Sequence, residues 1–446
     1  MNTKTITIDY FVPKSIEKSY IRIPFEMPDN VESIDIALTY EGMEATSTPI
    51  GEKNVIDLAV ISPDGLDVGA AGSAFKKVTI GESYSSPGYK RIKLKPGIWE
   101  LLLGAYIIKP SGVKCHYDIT FYFKYLREFK GDPHVHSTNS DGKLTYFELI
   151  KQAEKRKLDF LIMTDHNYMA TDALPQTKNL TLIPGVELTN YMGHINYWGV
   201  TIPYTGSFSV NSFDEFLKLN EEARSKNAIC VINHPRCQFC PWKWEVDFPM
   251  NGVEVWNGPM RHDNLNAIAL WDSQLKSGKK LFATGGADFH GHPFLLFAKP
   301  TTVVYALSKS PDDILDAFRA GMVSITSNSK SPVLTISSGN TLAGGSVKLE
   351  PNSEIIIKCE KLKKDQMLVI YDQTGEIHRT QAKKTAPVTI TLPVKKAGYV
   401  RAEVRYKLKF PMNLLYKLFM KITSSPYIKE ELPWFVYSMT SAIFFE

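Results

Sequence analysis

The sequence has little of what marks a secreted, membrane-spanning or disulfide-bonded chain. It contains five cysteines in 446 residues, and this odd, low count argues against a disulfide framework and fits a reducing compartment. No apolar run reaches the roughly 18 residues that a membrane span needs. The N-terminus, MNTKTITIDYF, lacks the successive regions of a signal peptide. We therefore predict a soluble, cytoplasmic protein without a transmembrane segment.

An excess of one charge is also missing. The chain has 52 Lys and Arg against 47 Asp and Glu, a net charge of +5, which is too mild to indicate duplex nucleic acid as a partner. The hydrophobic share of 43% and the charged share of 22% are ordinary for globular proteins, and they exclude disordered and fibrous classes. At about 150 residues per domain, the length predicts roughly three domains.

Three stretches of the chain differ in their hydrophobic patterns. Residues 1–126 contain short strand-like runs separated by turn residues, which predicts a β-sandwich domain. Residues 127–330 alternate strand-like runs with amphipathic helical patterns, which predicts an α/β barrel of roughly seven βα units, although closure is left open. Residues 331–446 return to strand-like runs, which predicts a small β domain with a basic apolar C-terminal segment.

Two helix starts have local support in the sequence. Thr145 and Glu148 open TYFELIKQAEKR, and Ser212 and Glu215 open SFDEFLKLNEEARSK. In each pair, a hydroxyl and a carboxylate three residues apart can satisfy unpaired backbone donors reciprocally, which predicts a capping box.

Histidine is unevenly distributed along the chain. Eight of the ten histidines lie between His134 and His292. His134 and His136 are two residues apart, and side chains at this spacing on a strand point to the same face, where they can share a metal ion. Asp288 and His290 repeat the spacing directly after an apolar run. The repetition predicts a metal site between these two pairs.

Further polar residues lie at the ends of the predicted strands. The C-terminal ends of barrel strands converge on one face, where polar side chains are typically catalytic. Asp141, which follows the first histidine pair, is added to this set. The nine candidate ligands are His134, His136, Asp141, His166, Glu187, His194, His234, Asp288 and His290.

The mixture of imidazoles and carboxylates indicates which ions fit. Imidazole and carboxylate ligands suit Mn, Zn and Fe, and a carboxylate can bridge two cations. Nine ligands exceed what one ion of four- to six-fold coordination takes, so we predict two or three divalent ions, with Mn, Zn or Fe as the candidates. No thiolate is needed, which excludes a structural zinc cage. Water on such an ion has a pKa of about 7, which supplies hydroxide at neutral pH.

The same residues lie in motifs that resemble the PHP (polymerase and histidinol phosphatase) family. These motifs are, in order, GDPHVHSTNSDG, TDHN, GVELT, GHIN, NHP, VEVWNG and GADFHG. The position of GHIN after GVELT, and of Trp271-Asp272 after VEVWNG, resembles the CehA/McbA-type branch. The resemblance covers about residues 127–330, and it implies a distorted (βα)7 barrel flanked by N-terminal and C-terminal β-sandwich-like domains.

The resemblance also implies how the ligands divide among the ions. Carried over by motif, the three sets are His134, His136, Glu187 and Asp288 for one ion; Glu187 as a bridge, with His194 and His234, for a second; and Asp141, His166 and His290 for a third. Family members mostly hydrolyse phosphoesters, whereas CehA-like members include carbamate and other ester hydrolases.

We therefore expect a metal-dependent phosphoesterase. A hydroxide held near Glu187 would attack phosphorus, with His194 and His234 as further catalytic residues and Arg236 stabilising the charge that develops. The expected substrate is a small phosphorylated molecule, nucleotide-like or a sugar phosphate, and a homo-oligomer is left open. Two alternatives also stay open: hydrolysis of a carboxylic or carbamate ester at the same site, and a non-catalytic scaffold.

Several residues beside the predicted site have an ordinary explanation next to a functional one. Arg261, like Arg236, lies where a substrate phosphate can be bound, or it is a solvated charge on the barrel rim. Asn257 lies at a strand end and could orient substrate or water. His262 and His292 are expected near the pocket without binding metal directly.

Two segments remain outside this scheme. Cys237 and Cys240 form a CxxC pair, but the sequence has no second such pair, so we interpret them as incidental loop thiols. Residues 412–422 combine apolar side chains with lysine. This segment is expected to pack on its own chain or on a second subunit, and the alternative is an anionic membrane surface.

Overall fold

The structure, a computed structural model, describes residues 2–42, 53–72, 75–169, 172–291, 293, 296–423, 425–429 and 431–446. His292, expected near the pocket, lies outside these residues. The contacts within the chain divide it into two compact units, Met1–Leu126 and Arg127–Glu446.

The first unit is built from antiparallel strands. Their residues alternate between buried and partly exposed positions, as strands with one face on a core do. A 3-10 helix at Lys14–Ile16 follows the first of these strands. The strands are β1 (Thr3–Val12), β2 (Tyr20–Met27), β3 (Val31–Tyr40), β4 (Val55–Ile61), β5 (Asp67–Ala71), β6 (Lys77–Gly81), β7 (Gly97–Ile107) and β8 (Val113–Phe123).

These strands form two four-stranded sheets, in the orders β1-β8-β3-β6 and β2-β7-β4-β5. Side chains from both sheets share one hydrophobic core, in which Trp99, Tyr117 and Phe121 are the largest fully buried residues. Two antiparallel sheets that face a common core make a sandwich of about 10 Å between layers.

The second unit begins with strands and helices in alternation. The strands are β9 (Arg127–Val135), β10 (Phe160–Met163), β11 (Thr181–Asn190), β12 (Gly193–Trp198), β13 (Ile229–Ile232), β14 (Gly252–Asn257), β15 (Phe282–Gly286), β16 (Thr301–Ala306) and β17 (Val323–Thr326). The helices are α1 (Tyr146–Lys155), α2 (Phe213–Ser225), α3 (His262–Lys276) and α4 (Pro311–Arg319).

These strands form one continuous sheet, in the order β15-β14-β13-β12-β11-β10-β9-β16-β17. The pairs β9–β10, β10–β11, β13–β14 and β14–β15 are parallel. The strands β12 and β16 run antiparallel to their neighbours, so they differ from the βα units expected at HINYWGV and TTVVYAL. The reason at β12 is that only Tyr191 and Met192 separate it from β11, and a connection this short permits only an antiparallel hairpin.

The sheet curls, so that the segment after β15 returns to the end of β9. The backbone N–H of Asp288 donates to the carbonyl of His134 at 2.9 Å, and that of His136 donates to the carbonyl of Phe289 at 3.1 Å. The fold of this region is therefore mixed α/β with a curled sheet, while a closed (βα)7 barrel stays a prediction.

The remaining strands extend the same unit. Beyond β17 the curled sheet continues in the order β26-β25-β22-β23, and β19-β18-β21-β24 form a separate four-stranded sheet. These elements are β18 (Leu334–Ser338), β19 (Thr341–Leu342), β20 (Ser346–Val347), β21 (Glu354–Leu362), β22 (Met367–Asp372), β23 (Gly375–Gln381), β24 (Ala386–Pro393), β25 (Gly398–Tyr406), α5 (Met412–Ile422), β26 (Phe435–Thr440) and β27 (Ile443–Phe445).

A buried ion pair joins α3 to these C-terminal strands. Arg401 on β25 donates to the carboxylate of Asp272 on α3 at 2.7 Å, and the hydroxyl of Tyr399 donates to the same oxygen at 2.8 Å. Arg401 also pairs with the fully buried carboxylate of Glu403. The contacts thus place 331–446 in one unit with 127–330, while the division into three domains stays a prediction from the sequence.

The two predicted caps differ in the structure. Thr145 and Glu148 form a complete capping box at the start of α1. At α2 the hydroxyl of Ser212 accepts from the backbone N–H of Glu215, but the Glu215 carboxylate accepts from the backbone N–H of Asn211. The second box is therefore only half formed, because the carboxylate reaches one residue further back. None of the described helices is both long enough and apolar enough to span a bilayer.

Candidate metal centre

The curled sheet brings the nine candidate ligands to one edge. His134 and His136 lie at the end of β9, His166 follows β10, and His234 follows β13. His194 lies at the start of β12, opposite Thr189 of β11. Because β12 is antiparallel, its first residues meet the last residues of β11, so His194 reaches the same edge as the others. Glu187 lies on β11, Asp141 lies in the loop after β9, and Asp288 and His290 follow β15.

Glu187 lies at the centre of the cluster and is fully buried. One carboxylate oxygen, Oε1, lies 3.3 Å from His134 Nε2, 3.2 Å from His194 Nδ1 and 3.6 Å from His234 Nε2. The other, Oε2, lies 2.5 Å from His166 Nδ1 and 3.6 Å from His136 Nε2. A single carboxylate thus faces five imidazoles, which suits the bridging position between two cations.

Asp288 supplies the second carboxylate. Its Oδ1 lies 3.0 Å from His136 Nε2 and 3.4 Å from His134 Nε2, and its Oδ2 lies 3.9 Å from His234 Nε2. Asp141 lies at the outer side of the cluster, where its Oδ1 is 3.1 Å from His290 Nε2 and 3.7 Å from His166 Nε2.

The donor atoms meet the requirements of metal sites. Among the residues that the structure describes, potential ligand atoms within 4.8 Å of one another occur in five groups, which include His134, His136 and Asp288, and also His136, Asp141, His166 and His290. Among the described residues of the cluster, His134 Nε2 and both nitrogens of His136 are buried without a well-aligned hydrogen bond, and the two Nε2 atoms face carboxylate oxygens at 3.0–3.6 Å. Buried polar atoms normally find a well-aligned partner, so imidazole nitrogens that converge on two carboxylates in this way fit bound divalent cations. Which residue holds which ion remains a proposal.

The charges of the cluster are set by burial and by mutual contact. Burial alone would raise the pKa of Glu187, but His134, His166 and His194 hold it well below its usual range. Burial likewise opposes ionisation of Asp288, and His134 and His136 outweigh it, so that this pKa is also well below the ordinary value. Both carboxylates are therefore anionic, as ligands of a cation would be. Burial lowers the pKa of His136, which favours the neutral imidazole that binds metal.

The backbone is unusual at two of the candidate ligands. His234 and Asp288 have φ values of +29° and +50°, on the positive side of φ, where non-glycine residues are uncommon but histidine and aspartate are enriched. Gly286 precedes Asp288 by two residues, and a Cβ there would lie 2.4 Å from the Cβ of His134 and 2.7 Å from Glu254 Oε1. Only glycine leaves space for these two side chains.

Sequence reasoning missed Glu254, which lies on β14 and is 2% exposed. Its Oε1 lies 2.9 Å from His134 Nδ1, and its Oε2 accepts from the backbone N–H of His234 at 2.9 Å and from Asn257 Nδ2 at 3.2 Å. Glu254 thus orients two candidate ligands from outside the cluster, as carboxylates commonly do for metal-binding histidines. The sequence feature that could have predicted its role is that Glu254 is a charged residue within the apolar strand-like run VEVWN.

Two other buried residues of the motifs act in the same indirect way. Asn233 donates from Nδ2 to Glu187 Oε1 at 2.6 Å. Asp165, of the TDHN motif, accepts from both the backbone N–H and the hydroxyl of Ser137, at 2.6 and 2.8 Å. This contact holds the start of the loop that carries Asp141.

The arginines expected to bind phosphate differ from each other. Arg236 has an exposed side chain, and among the described residues it makes no hydrogen bond or ion pair, so its role stays a prediction. Arg261 donates to the carbonyl and to Oδ1 of Asn257 and pairs with Asp263. Its guanidinium is therefore engaged by the protein rather than free on the rim.

The remaining candidates near the site have structural partners. Asn257 donates from Nδ2 to Asp288 Oδ2 at 3.3 Å, as well as to Glu254. His262 is buried, and its Nδ1 lies 2.9 Å from the Tyr416 hydroxyl, so it packs α3 against α5.

The two cysteines lie closer to the cluster than expected. Cys240 Sγ lies 3.6 Å from His234 Nδ1 and 3.5 Å from Cys237 Sγ. The interpretation as incidental thiols does not account for this contact with a candidate ligand. The sequence feature that could have predicted this contact is that Cys237 and Cys240 follow His234 by only three and six residues.

No family model and no curated protein matches the chain. Solved structures that resemble it include a two-domain protein from Bacteroides vulgatus that contains a predicted PHP-like metal-dependent phosphoesterase, at 19% identity over 62% of this chain and 90% of that chain, with a TM-score of 0.39. A lesion-specific endonuclease from Pyrococcus furiosus is 12% identical over 43% and 56%, with a TM-score of 0.34. An amidohydrolase from Chromobacterium violaceum is 18% identical over 36% and 88%, with a TM-score of 0.25. At these identities and TM-scores, the likenesses carry no argument about what this chain does.

Proposed function

We propose that the protein is a metal-dependent hydrolase that acts on phosphate esters. The observation that carries the proposal is the cluster around Glu187, in which five imidazoles surround one buried carboxylate and three of them also face the Asp288 carboxylate. When bound, paired divalent ions in such a site lower the pKa of water to about 7 and offset negative charge on a phosphoryl oxygen. The ligands assigned from the sequence motifs would hold two or three ions, with Mn, Zn or Fe as the candidates.

The protein's own residues prepare this site. Glu187 is held in place by Asn233 and by the neighbouring imidazoles, so its position does not depend on the substrate. Glu254 Oε1 lies 2.9 Å from His134 Nδ1, so with a metal bound it would accept the Nδ1 proton and leave Nε2, which faces Glu187 and Asp288, as the ligand atom. Arg236 is exposed and follows His234 by two residues, and we assign it to substrate phosphate.

A substrate panel with metal analysis tests the reaction class. Protein with its metal content measured is assayed on mono- and bis-p-nitrophenyl phosphate and on p-nitrophenyl acetate. We expect hydrolysis of a phosphate ester, and activity on the acetate alone would contradict the proposal in favour of a carboxylic ester hydrolase. A second panel of cyclic dinucleotides, nucleotides and sugar phosphates then narrows the natural substrate, which we expect to be small and phosphorylated.

The double substitution His134→Ala with His136→Ala tests the role of the cluster. It removes two buried ligands, so we expect loss of hydrolysis and less bound metal in a chain that stays folded by circular dichroism. The control is His378→Ala, which lies on β23 outside the cluster and should change neither quantity. Unchanged turnover in the double variant would remove this cluster from the mechanism.

A further inference from the structure

The helix α5 exposes most of its apolar side chains. Leu414, Leu415 and Leu418 are 60%, 53% and 52% exposed, and Ile422 is 74% exposed. Phe410, Met412 and Phe419 are also exposed, and Met420 is the one residue of the helix that is fully buried. Single exposed apolar residues are ordinary, but a contiguous set on one short helix marks an interaction surface.

The opposite face of α5 packs against the rest of the chain, so the helix has a defined position and its apolar face is exposed in that position. Tyr416 contacts His262 through its hydroxyl and packs its ring against Phe435 at 5.2 Å between centroids. The carbonyl of Thr423, just past the helix, accepts from Gln238 Nε2 at 3.0 Å. These contacts anchor α5 on its own chain and leave the leucine face outside.

The charged residues within the helix segment have one sign, and two glutamates, Glu430 and Glu431, follow it in the sequence. Residues 407–429 contain five lysines and neither aspartate nor glutamate. Lys417 and Lys421 are exposed, lie one turn apart on α5, and make no ion pair among the described residues. Lys407 and Lys409 do pair with Glu431 and Asp365, so the lysines without an ion pair among the described residues are Lys417 and Lys421 on the helix and Lys429 after it.

We propose that α5 is the docking surface for an anionic lipid bilayer. An amphipathic helix with leucine and phenylalanine on the outside and flanking lysines lies in the headgroup region, where apolar burial and attraction to anionic lipid add. A second copy of this chain fits less well, since two lysine-bearing faces repel each other. The face is also small: about 16 Å long by about 10 Å wide, it falls well short of the roughly 800 Å² per partner of a stable interface.

The surface adjoins the proposed metal centre. The loop after His234 carries Phe239, which is 73% exposed and lines a small cavity together with Phe419 of α5. On the other side, His262 contacts Tyr416 and follows Arg261, which is bonded to Asn257. Docking through α5 therefore brings residues next to the ligands close to the lipid headgroups.

Co-sedimentation of the full chain with vesicles tests the proposal without any substrate, so it can fail while hydrolysis persists. We expect binding to vesicles of phosphatidylcholine with phosphatidylglycerol, and much less to phosphatidylcholine alone. Each lysine near an anionic surface contributes about fivefold, so Lys417→Gln with Lys421→Gln should lower the partition coefficient roughly 25-fold. The matched control is Lys151→Gln with Lys155→Gln, an exposed pair at the same spacing on α1.

The apolar half of the surface is tested by Leu414→Gln with Leu418→Gln, which should weaken binding about tenfold or more. Phe147→Gln, at a 72% exposed position on α1, is the control and should bind as the wild type does. Equal binding to both vesicle types, or unchanged binding of the lysine variant, would overturn the proposal. So would a concentration-dependent dimer that the leucine variant abolishes, since α5 would then be a self-association surface.

Discussion

At the scale of single residues, the cluster is organised by carboxylates in two positions. Glu187 and Asp288 lie among the imidazoles, where the histidines hold their pKa values low. Glu254 lies outside the imidazole cluster, where its Oε1 is within hydrogen-bond distance of His134 Nδ1 and its Oε2 accepts from the backbone N–H of His234. The first two suit the binding of cations, whereas the third controls which imidazole nitrogen carries the proton.

The substitution Glu254→Gln separates these roles. A carboxylate accepts at both oxygens, but an amide has one acceptor and one donor, so the amide cannot accept from both His134 Nδ1 and the His234 backbone. We expect a 10- to 100-fold loss of metal affinity, measured by titration of metal-free protein with Co²⁺ and by its visible spectrum. Glu154→Gln, exposed on α1, should bind metal as the wild type does, and equal affinity in both variants would show that Glu254 has no such role.

At the scale of elements, a hairpin and a helix cap help to place the candidate ligands at one edge of the curled sheet. The hairpin between β11 and β12 turns the start of β12 towards the end of β11, which is why His194 lies beside Glu187. The capping box of Thr145 and Glu148 starts α1 soon after the loop that carries Asp141. The start of that helix therefore helps to define where the loop ends.

The substitution Thr145→Ala removes half of this box. The loss of a capping hydroxyl costs about 1 kcal/mol, which corresponds to roughly fivefold faster amide exchange in the first turn of α1 if the turn opens locally. Hydrogen exchange measured by mass spectrometry on peptides of α1 checks this. Lys151→Ala on the exposed side of the same helix should leave the exchange of the first turn unchanged, and equal exchange in wild type and Thr145→Ala would mean that tertiary packing alone holds the turn.

At the scale of the whole molecule, the two units differ in what their interiors contain. The first unit has an apolar core shared by two sheets. The second unit has several apolar clusters together with the histidine cluster, in which buried imidazoles face the Glu187 and Asp288 carboxylates. Ions that bind the folded state and not the unfolded one stabilise it by mass action, so the second unit should depend on metal for stability and the first should not.

Removal of metal with a chelator tests this difference. At a free ion concentration 100 times the dissociation constant, binding contributes about 2.7 kcal/mol, so a chelator should lower the unfolding midpoint of the second unit and added ion should restore it. Calorimetry of the full chain measures both transitions. The His134→Ala with His136→Ala variant should respond much less to the chelator, and an equal response of that variant would place the stabilising ion elsewhere.

From the sequence alone it was possible to predict that these histidines and carboxylates lie together, and roughly where strands and helices alternate. The reason is that the spacing of residues along a strand is local. Residues two apart point to the same face of the strand, and this spacing holds for His134 and His136 and for Asp288 and His290. The cap at Thr145 was predictable for the same reason, because all its atoms lie within one turn.

Contacts between residues far apart in the chain become visible only in the folded protein. The contact of Glu254 with His134 joins residues 120 positions apart, and the contact of Cys240 with His234 depends on the path of a loop, so neither follows from local pattern. The exposed face of α5 also could not be predicted from local pattern, because its composition is compatible with packing on the chain as well as with exposure. In the structure Tyr416 and Met420 pack against the rest of the protein, and the leucines therefore lie outside. Local preference selects the elements, whereas long-range packing selects which of their faces are buried.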